Sequence, residues 1–221
     1  MIIIKIISNL GYKSPYNMIA VITGDIIHSK QHQPEQWLKL LKNLLKNSSR
    51  LVEEWEIYRG DEFQIEMSKA EDALLLALLI KATIKKISTL DVRLSIGMGE
   101  KTYTGKKVSE SNGTAFTNSG EQLSGMKKQK INLLLKSGNE GLDKELNLIL
   151  KLGSVIWDNW SEVSAELAEM LLKNPDQVQE KIAHTLGIKQ AAVSQRYKRA
   201  ELALVLEIEK YFKERILSLK N

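Results

Sequence analysis

The chain has 221 residues, of which 43% are hydrophobic and 27% are charged. This balance is ordinary for a globular protein and excludes a largely disordered chain. Cys is absent, which excludes disulfides, a thiolate nucleophile and Cys-built metal sites. The longest unbroken apolar run, residues 73–80, is far too short for a membrane span. We therefore expect a cytoplasmic protein with no membrane partner, and its net charge of +5 makes the placement of basic residues informative.

The chain divides into four segments by composition and pattern. Residues 1–17 contain a turn-rich stretch and precede a second methionine, Met18. They are consistent with an added edge strand, or with an extension ahead of a natural start at Met18. We expect an α+β domain over residues 18–140, a linker helix over 141–160 and a helical domain over 161–221.

The α+β segment carries the periods of strands and helices in the order β-α-β-β-α-β, with one more helix and strand after it. The predicted strands cover 18–23, 55–58, 63–67, 91–97 and 131–135. Three helices are predicted: one with Pro34 in its first turn, one over 70–87 and one over 113–128. This order predicts a ferredoxin-like palm domain, in which the four strands of the repeat lie side by side as 4-1-3-2.

Two acidic positions are predicted to meet at one edge of this sheet. Asp25 ends the first strand and Asp61 lies just before the third, its antiparallel neighbour. With Glu62 as a further oxygen donor, the two carboxylates could hold Mg²⁺ or Mn²⁺. The alternative is that both are turn residues, since Gly-Asp is frequent in turns. A loop after strand one could aim backbone N–H groups at nucleotide phosphates. Its residues are Ile26, Ile27, His28, Ser29 and Lys30.

Several short motifs in this region resemble families that handle nucleotides. RGDEF at 59–63 resembles the GGDEF hairpin of diguanylate cyclases, and GDII at 24–27 resembles the metal-binding strand end of those enzymes and of class III nucleotide cyclases. LSIGMG at 94–99 is similar to the strand that follows in both. From Met18 to its end, the chain resembles the SatD family of bacterial proteins. The resemblance implies a cyclase-like palm that binds a divalent metal and a nucleoside triphosphate or cyclic nucleotide.

The chain also departs from these patterns. The first glycine of GGDEF is Arg59. Class III cyclases carry an Asn and, four residues later, an Arg that stabilises the transition state, and Thr117 and Glu121 stand at the comparable positions. An acid there would repel a triphosphate. Lys128, with its neighbour Lys127, is close enough in sequence to bind phosphate instead, or the pair lies on a solvated surface.

Residues 179–198 have the spacing of a helix-turn-helix. Ala183 is small where two helices cross, Gly187 sits at the turn and Val193 packs the second helix on the first. The stretch resembles the helix-turn-helix of bacterial transcription regulators. Residues 181–199 hold five basic and no acidic residues, whereas residues 153–221 as a whole hold ten of each. The positive charge is therefore focused on this motif, as expected for binding duplex DNA.

Outward-facing side chains of the second helix could read bases or bind phosphates. They are Lys189, Gln190, Ser194, Gln195, Arg196 and Lys198. The alternative is a helical pair used for protein contact. The pattern predicts that this helix runs on through Leu219, where its apolar residues either pack on their own domain or form the seam of a homodimer.

We predict a DNA-binding regulatory protein with a degenerate palm that senses a nucleotide. One alternative is a metal-dependent nucleotidyl cyclase or transferase that the helix-turn-helix only localises, and a second is a non-catalytic dimeric scaffold. Thr117 and Glu121 favour the regulator, whereas the pairing of Asp25 with Asp61 favours the enzyme.

Overall fold

The structure, a computed structural model, describes residues 18–58 and 60–219. The predictions for residues 1–17 and the comparison at Arg59 lie outside the described residues. The described residues form a mixed α+β fold, as the sequence predicts. None of the helices in these two ranges is long and apolar enough to cross a membrane.

Among the described residues, five strands form a sheet at the centre of the fold, in the order β2-β3-β1-β4-β5. The strands are β1 (Ile19–Ile27), β2 (Glu54–Tyr58), β3 (Glu62–Met67), β4 (Asp91–Gly99) and β5 (Leu133–Lys136). The first four pair antiparallel in the order that the sequence predicts, and β5 adds to β4 in parallel.

Eight α-helices surround the sheet within the described residues. They are α1 (Pro34–Asn47), α2 (Ala73–Lys85), α3 (Thr114–Gln129), α4 (Glu140–Trp157), α5 (Glu162–Lys173), α6 (Gln179–Leu186), α7 (Gln190–Arg199) and α8 (Leu202–Leu217). Helix α2 is buried almost all round because the sheet, α1 and α5 all pack against it. Alternate residues of the strands, such as Ile22 and Ile65, fill the core beneath it.

Helix α3 covers part of the other, more polar face of the sheet. Gly97 permits this close contact, because a Cβ there would lie 2.1 Å from the carbonyl oxygen of Ala115. On the same face, the hydroxyls of Thr23 and Ser119 lie 2.8 Å apart in a buried hydrogen bond. The polar residues of the sheet therefore face α3 and the loop before it.

The prediction that Asp25 ends the first strand is wrong, since β1 continues to Ile27. The sequence Gly24-Asp25 suggests a turn, but Gly24 lies inside the strand. A Cβ on Gly24 would lie 2.5 Å from the ring of Phe63, so glycine serves close packing there and no turn forms.

The prediction of one helix from residue 188 to 219 is also wrong. The chain forms α7 and α8, and Glu201 between them has a left-handed φ of 49°. Leu202, Val205, Phe212 and Ile216 of α8 are buried in their own chain. These four residues therefore pack on their own protein, which was the first of the two predicted alternatives.

The helical segment and the sheet share one hydrophobic core. A single cluster of buried residues extends from Ala20 in β1 to Ile216 in α8. Two ion pairs fasten α8 to the rest of the fold: Lys213 donates to Asp72 at 2.7 Å, and Arg215 to Glu145 at 2.9 Å.

Candidate functional sites

The backbone brings the predicted acidic residues to one edge of the sheet. The N–H of Ile26 donates to the carbonyl of Asp61 at 3.1 Å, and Asp25 lies opposite Glu62 in the β1–β3 register. Paired residues of antiparallel strands share a face, so Asp25 and Glu62 both project towards the side that α3 covers.

Two cations of the chain hold the carboxylate of Asp25. Nη1 of Arg93 donates to both of its oxygens, at 3.0 and 2.8 Å. Nζ of Lys127 lies 3.7 Å from Oδ2 of Asp25 and 3.7 Å from Oε1 of Glu62. Asp25 is only 7% exposed, and a buried carboxylate needs such compensation for its charge. Its negative charge is thus balanced by protein side chains.

Asp61 is engaged separately from Asp25. The hydroxyl of Ser29 donates to Oδ2 of Asp61 at 2.5 Å. Within residues 18–58 and 60–219, no group of three or more His, Cys, Asp or Glu side chains is arranged to hold a metal ion. The structure therefore does not assemble Asp25, Asp61 and Glu62 as a three-ligand cage, although their backbones meet.

The predicted phosphate-binding loop is shorter than expected. Ile26 and Ile27 belong to β1, and the N–H of Ile26 is already bonded to Asp61. A short 3-10 turn follows over Ser29–Gln31, including Lys30, after His28 at a left-handed φ of 64°. Lys128 is exposed, and its neighbour Lys127 is the residue near Asp25.

A pocket of about 510 Å³ lies at the end of β1, beside these residues. Ile27 and His28 of the predicted loop line it, together with Lys85, Arg93, Lys130 and Asn132. Nε of Arg93 is buried and, among the described residues, has no hydrogen-bond partner. Asp91 and Glu162 also line the pocket, so it offers an anionic ligand hydrogen-bond donors and three cationic side chains against two acidic ones.

Sequence reasoning missed Arg93, and it considered Lys127 only as a possible phosphate-binding residue or a surface residue. The available signal for Arg93 was an arginine in a mostly apolar strand, two residues after Asp91. Only the β1–β4 register, which pairs Arg93 with Asp25, shows what it does.

The two departures from the cyclase pattern lie on α3, and each has a bonding partner other than Asp25. The hydroxyl of Thr117 donates to the carbonyl of Gly113. Glu121 is 60% exposed and pairs with Lys136 at 2.6 Å. The charge of Glu121 is therefore balanced by Lys136 of β5 in a surface ion pair.

The predicted helix-turn-helix segment folds as α6 and α7, with α5 packed against α7. Gly187 has a left-handed φ of 64° at the turn, and the N–H of Ile188 donates to the carbonyl of Ala183 at 3.0 Å. Ile182 and Val193 are fully buried between the helices. The small core expected from the sequence is therefore present.

Most of the predicted DNA-facing residues lie on the exposed side of this segment. Lys189, Gln190, Gln195 and Lys198 are exposed, and Ser194 is half-buried. Lys181 and Arg199, two basic residues that are not among the six predicted to face DNA, are also exposed.

Arg196 differs from the other predicted residues. It is 22% exposed, and its Nη1 lies 3.4 Å from Oε2 of Glu166 on α5. Arg196 therefore faces α5, and Arg199 takes its place on the outward side of α7.

The fold is that of a mixed α+β protein with a sheet-based core and a three-helix unit attached to it. A family model described as the SatD family matches residues 18–216. Because the match spans most of its length, the chain belongs to the SatD family.

Among solved structures, a similar chain is described as "Structure of a bacterial light-regulated adenylyl cyclase". It is 10% identical, the alignment covers 53% of this chain and 74% of that chain, and the TM-score is 0.37. A likeness of this level supports no inference about fold or function. No curated protein matches the chain.

Proposed function

We propose that this SatD-family protein is a DNA-binding regulatory protein, and that α5, α6 and α7 form a helix-turn-helix whose α7 enters the major groove. The observation that carries the proposal is the outward side of α7, where Gln190, Gln195, Lys198 and Arg199 are all exposed. They belong to a span, residues 181–199, that has no acidic residue.

The chemistry of this face suits duplex DNA. The amide of Gln190 or Gln195 can donate to and accept from the major-groove edge of adenine. Lys198 and Arg199 can bind phosphate or guanine, and Lys189 at the start of α7 can bind the backbone. The proposal thus divides the face into base-reading glutamines and cations that supply affinity.

The sheet domain has a supporting role in this proposal, as a ferredoxin-like palm that has lost cyclase chemistry. Asp25 is neutralised by Arg93 and Lys127, so a metal ion would have to displace protein cations to bind it. Glu66 and Glu56, on the same sheet face, are paired in the same way with Lys101 and Lys107. Protein cations therefore occupy three carboxylates of this sheet face, whereas Asp61 accepts a hydrogen bond from Ser29.

Selection from a pool of random duplexes, followed by fluorescence anisotropy on the enriched sequence, tests DNA binding. We expect Gln190→Ala and Gln195→Ala each to relax preference at one or two base pairs, worth about 1–3 kcal/mol each. Gln36→Ala, on an exposed position of α1, is the matched control. An unenriched pool, or a preference untouched by both substitutions, would refute the proposal.

A second candidate function is binding of a phosphate-bearing nucleotide, and the pocket at the end of β1 favours it. Arg93 and Lys130 line that pocket, and Nε of Arg93 is buried with no hydrogen-bond partner among the described residues. A thermal-shift screen with ATP, GTP and cyclic nucleotides, with and without Mg²⁺ or Mn²⁺, detects a ligand of the folded state.

Two lysine variants provide a test and a matched control in the thermal-shift screen. We expect Lys130→Ala to reduce the ligand-induced shift, while Lys128→Ala, on an exposed neighbour outside the pocket, keeps it. Chromatography of the mixtures reports any cyclic product. Product that disappears in Asp61→Asn would favour the metal-dependent cyclase or transferase instead.

A further inference from the structure

The solvent-facing side of α4 carries an apolar ridge. Leu148, Leu152 and Val155 are 60%, 64% and 68% exposed. They stand at i, i+4 and i+7, so they line one face over about 10 Å of helix. The opposite side of α4 is buried through Leu146 and Leu150. A helix with one buried face normally presents polar residues to solvent, and a continuous apolar row there marks a contact surface.

A groove of about 400 Å³ runs beside this ridge, between α4 and α8. Ile149 of α4 and Ile208 and Tyr211 of α8 supply its apolar lining. Glu207, Lys210 and Glu214 of α8 also line it, and Lys210 pairs with Glu214 at 3.9 Å. The surface therefore offers a convex apolar feature and a concave one side by side.

Opposite charges flank the two features. By its position in the helical repeat, Lys151 lies beside the ridge, on the side of α4 away from α8. Glu207 lies on the α8 side of the groove. Glu145 of α4 bonds Arg215 of α8 at 2.9 Å, which fixes the relative height of the two helices. Lys151 lies six residues beyond Glu145 on α4, and Glu207 lies eight residues before Arg215 on α8. Measured along the helix axes, Lys151 and Glu207 are therefore about 3 Å apart.

We propose that this surface joins two copies of the chain in a twofold dimer. An axis parallel to α4, between ridge and groove, seats the ridge of each copy in the groove of the other. The same operation sets Lys151 of one copy opposite Glu207 of the partner subunit, and it does so twice. The surface is self-complementary in shape and in charge, as an isologous interface requires, and this favours a second copy as the occupant.

Sedimentation equilibrium over a wide concentration range tests the interface. We expect a dimer for the wild type and a dissociation constant raised at least about tenfold by Leu152→Glu, which places a charge in the partner's groove. Tyr103→Glu changes a side chain that is 61% exposed and lies outside α4 and α8, and it should leave the constant unchanged.

Charge reversal separates this geometry from unspecific hydrophobic association. Lys151→Glu and Glu207→Lys should each weaken the dimer, and the double variant should restore it. A wild type that stays monomeric, a dimer untouched by Leu152→Glu, or a double variant weaker than either single one would overturn the proposal. Binding of DNA to one half-site is a separate measurement, so failure of the dimer and failure of DNA binding are distinguishable.

Discussion

The indole Nε1 of Trp160 donates to the backbone carbonyl of Ala200 at 3.0 Å. Trp160 precedes α5 and Ala200 follows α7, so this buried hydrogen bond joins the first helix of the three-helix unit to the end of the last. It satisfies a carbonyl at the point where the chain leaves α7 and enters the left-handed residue Glu201. The bond thereby helps to fix the length of the proposed recognition helix.

Trp160→Phe should destabilise the protein more than Trp37→Phe. Both indoles are buried, but Nε1 of Trp37 has no hydrogen-bond partner among the described residues. Removing a satisfied donor leaves the Ala200 carbonyl unpaired, at a further cost of about 1–3 kcal/mol. Urea unfolding of the two variants measures this difference. Equal losses of stability would show that the Trp160 hydrogen bond contributes nothing.

Lys81→Met should lower the free energy of unfolding by about 3–5 kcal/mol. Nζ of Lys81 lies 2.7 Å from Asp91 and 2.6 Å from Asp158, and the Lys81 side chain is 1% exposed. Its loss leaves two half-buried carboxylates without their main cation. Lys144→Met, at an exposed ion pair with Glu140, is the control and should cost at most about 1 kcal/mol. Guanidinium unfolding measures both, and similar values would contradict the account.

Glu169 should stabilise the α2–α5 contact at neutral pH and not at acid pH. Burial alone would raise the pKa of Glu169, but hydrogen bonds from Lys173 and Lys86 outweigh it and hold the pKa below 4.5. A carboxyl with a lowered pKa stabilises the folded state above its unfolded pKa, and this contribution is lost as the pH falls through the folded pKa.

Unfolding of Glu169→Gln at two pH values measures the effect. The variant should be less stable than the wild type by about 1–3 kcal/mol at neutral pH. The difference should shrink as the pH falls below the ordinary pKa of a glutamate. A difference that is the same under both conditions would mean that the ion pairs of Glu169 do not contribute.

Gly153→Ala should destabilise the protein although alanine favours helices. A Cβ at Gly153 would lie 2.0 Å from the ring of Trp157, which is fully buried. We expect an overpacking cost of about 1–3 kcal/mol. Gly120→Ala on α3 meets nothing within 4 Å and should instead stabilise by up to about 1 kcal/mol. Thermal unfolding compares the two, and a stabilised Gly153→Ala would contradict the packing described for α4.

The antiparallel part of the sheet could be predicted because its strands alternate clearly. Phe63, Ile65 and Met67 all lie in the core, as their period of two predicts. The interruption of the helix at Glu201, between α7 and α8, could not be predicted in this way. No glycine or proline marks it, and the hydrogen bond from Trp160 that accompanies it joins residues 40 positions apart.

The candidate sites were predictable to different degrees. The small core of α6 and α7 follows from local spacing, so Ala183 and Val193 have their predicted places. The surroundings of Asp25 depend on the register of β4, which no local pattern supplies. Long-range pairing by Arg93 is therefore what sequence reasoning missed, and it changes how the carboxylate is interpreted.

The salt dependence of duplex DNA binding tests the central claim most directly. Each phosphate that the protein neutralises contributes about 0.9 to the slope of log affinity against log salt concentration. The wild type should give a steep negative slope, and Lys198→Ala combined with Arg199→Ala should reduce its magnitude by about 1.8. Arg196→Ala, whose guanidinium is paired with Glu166, should change the slope little. No binding at low salt, or the same slope for the wild type and the double variant, would contradict the claim that α7 faces DNA.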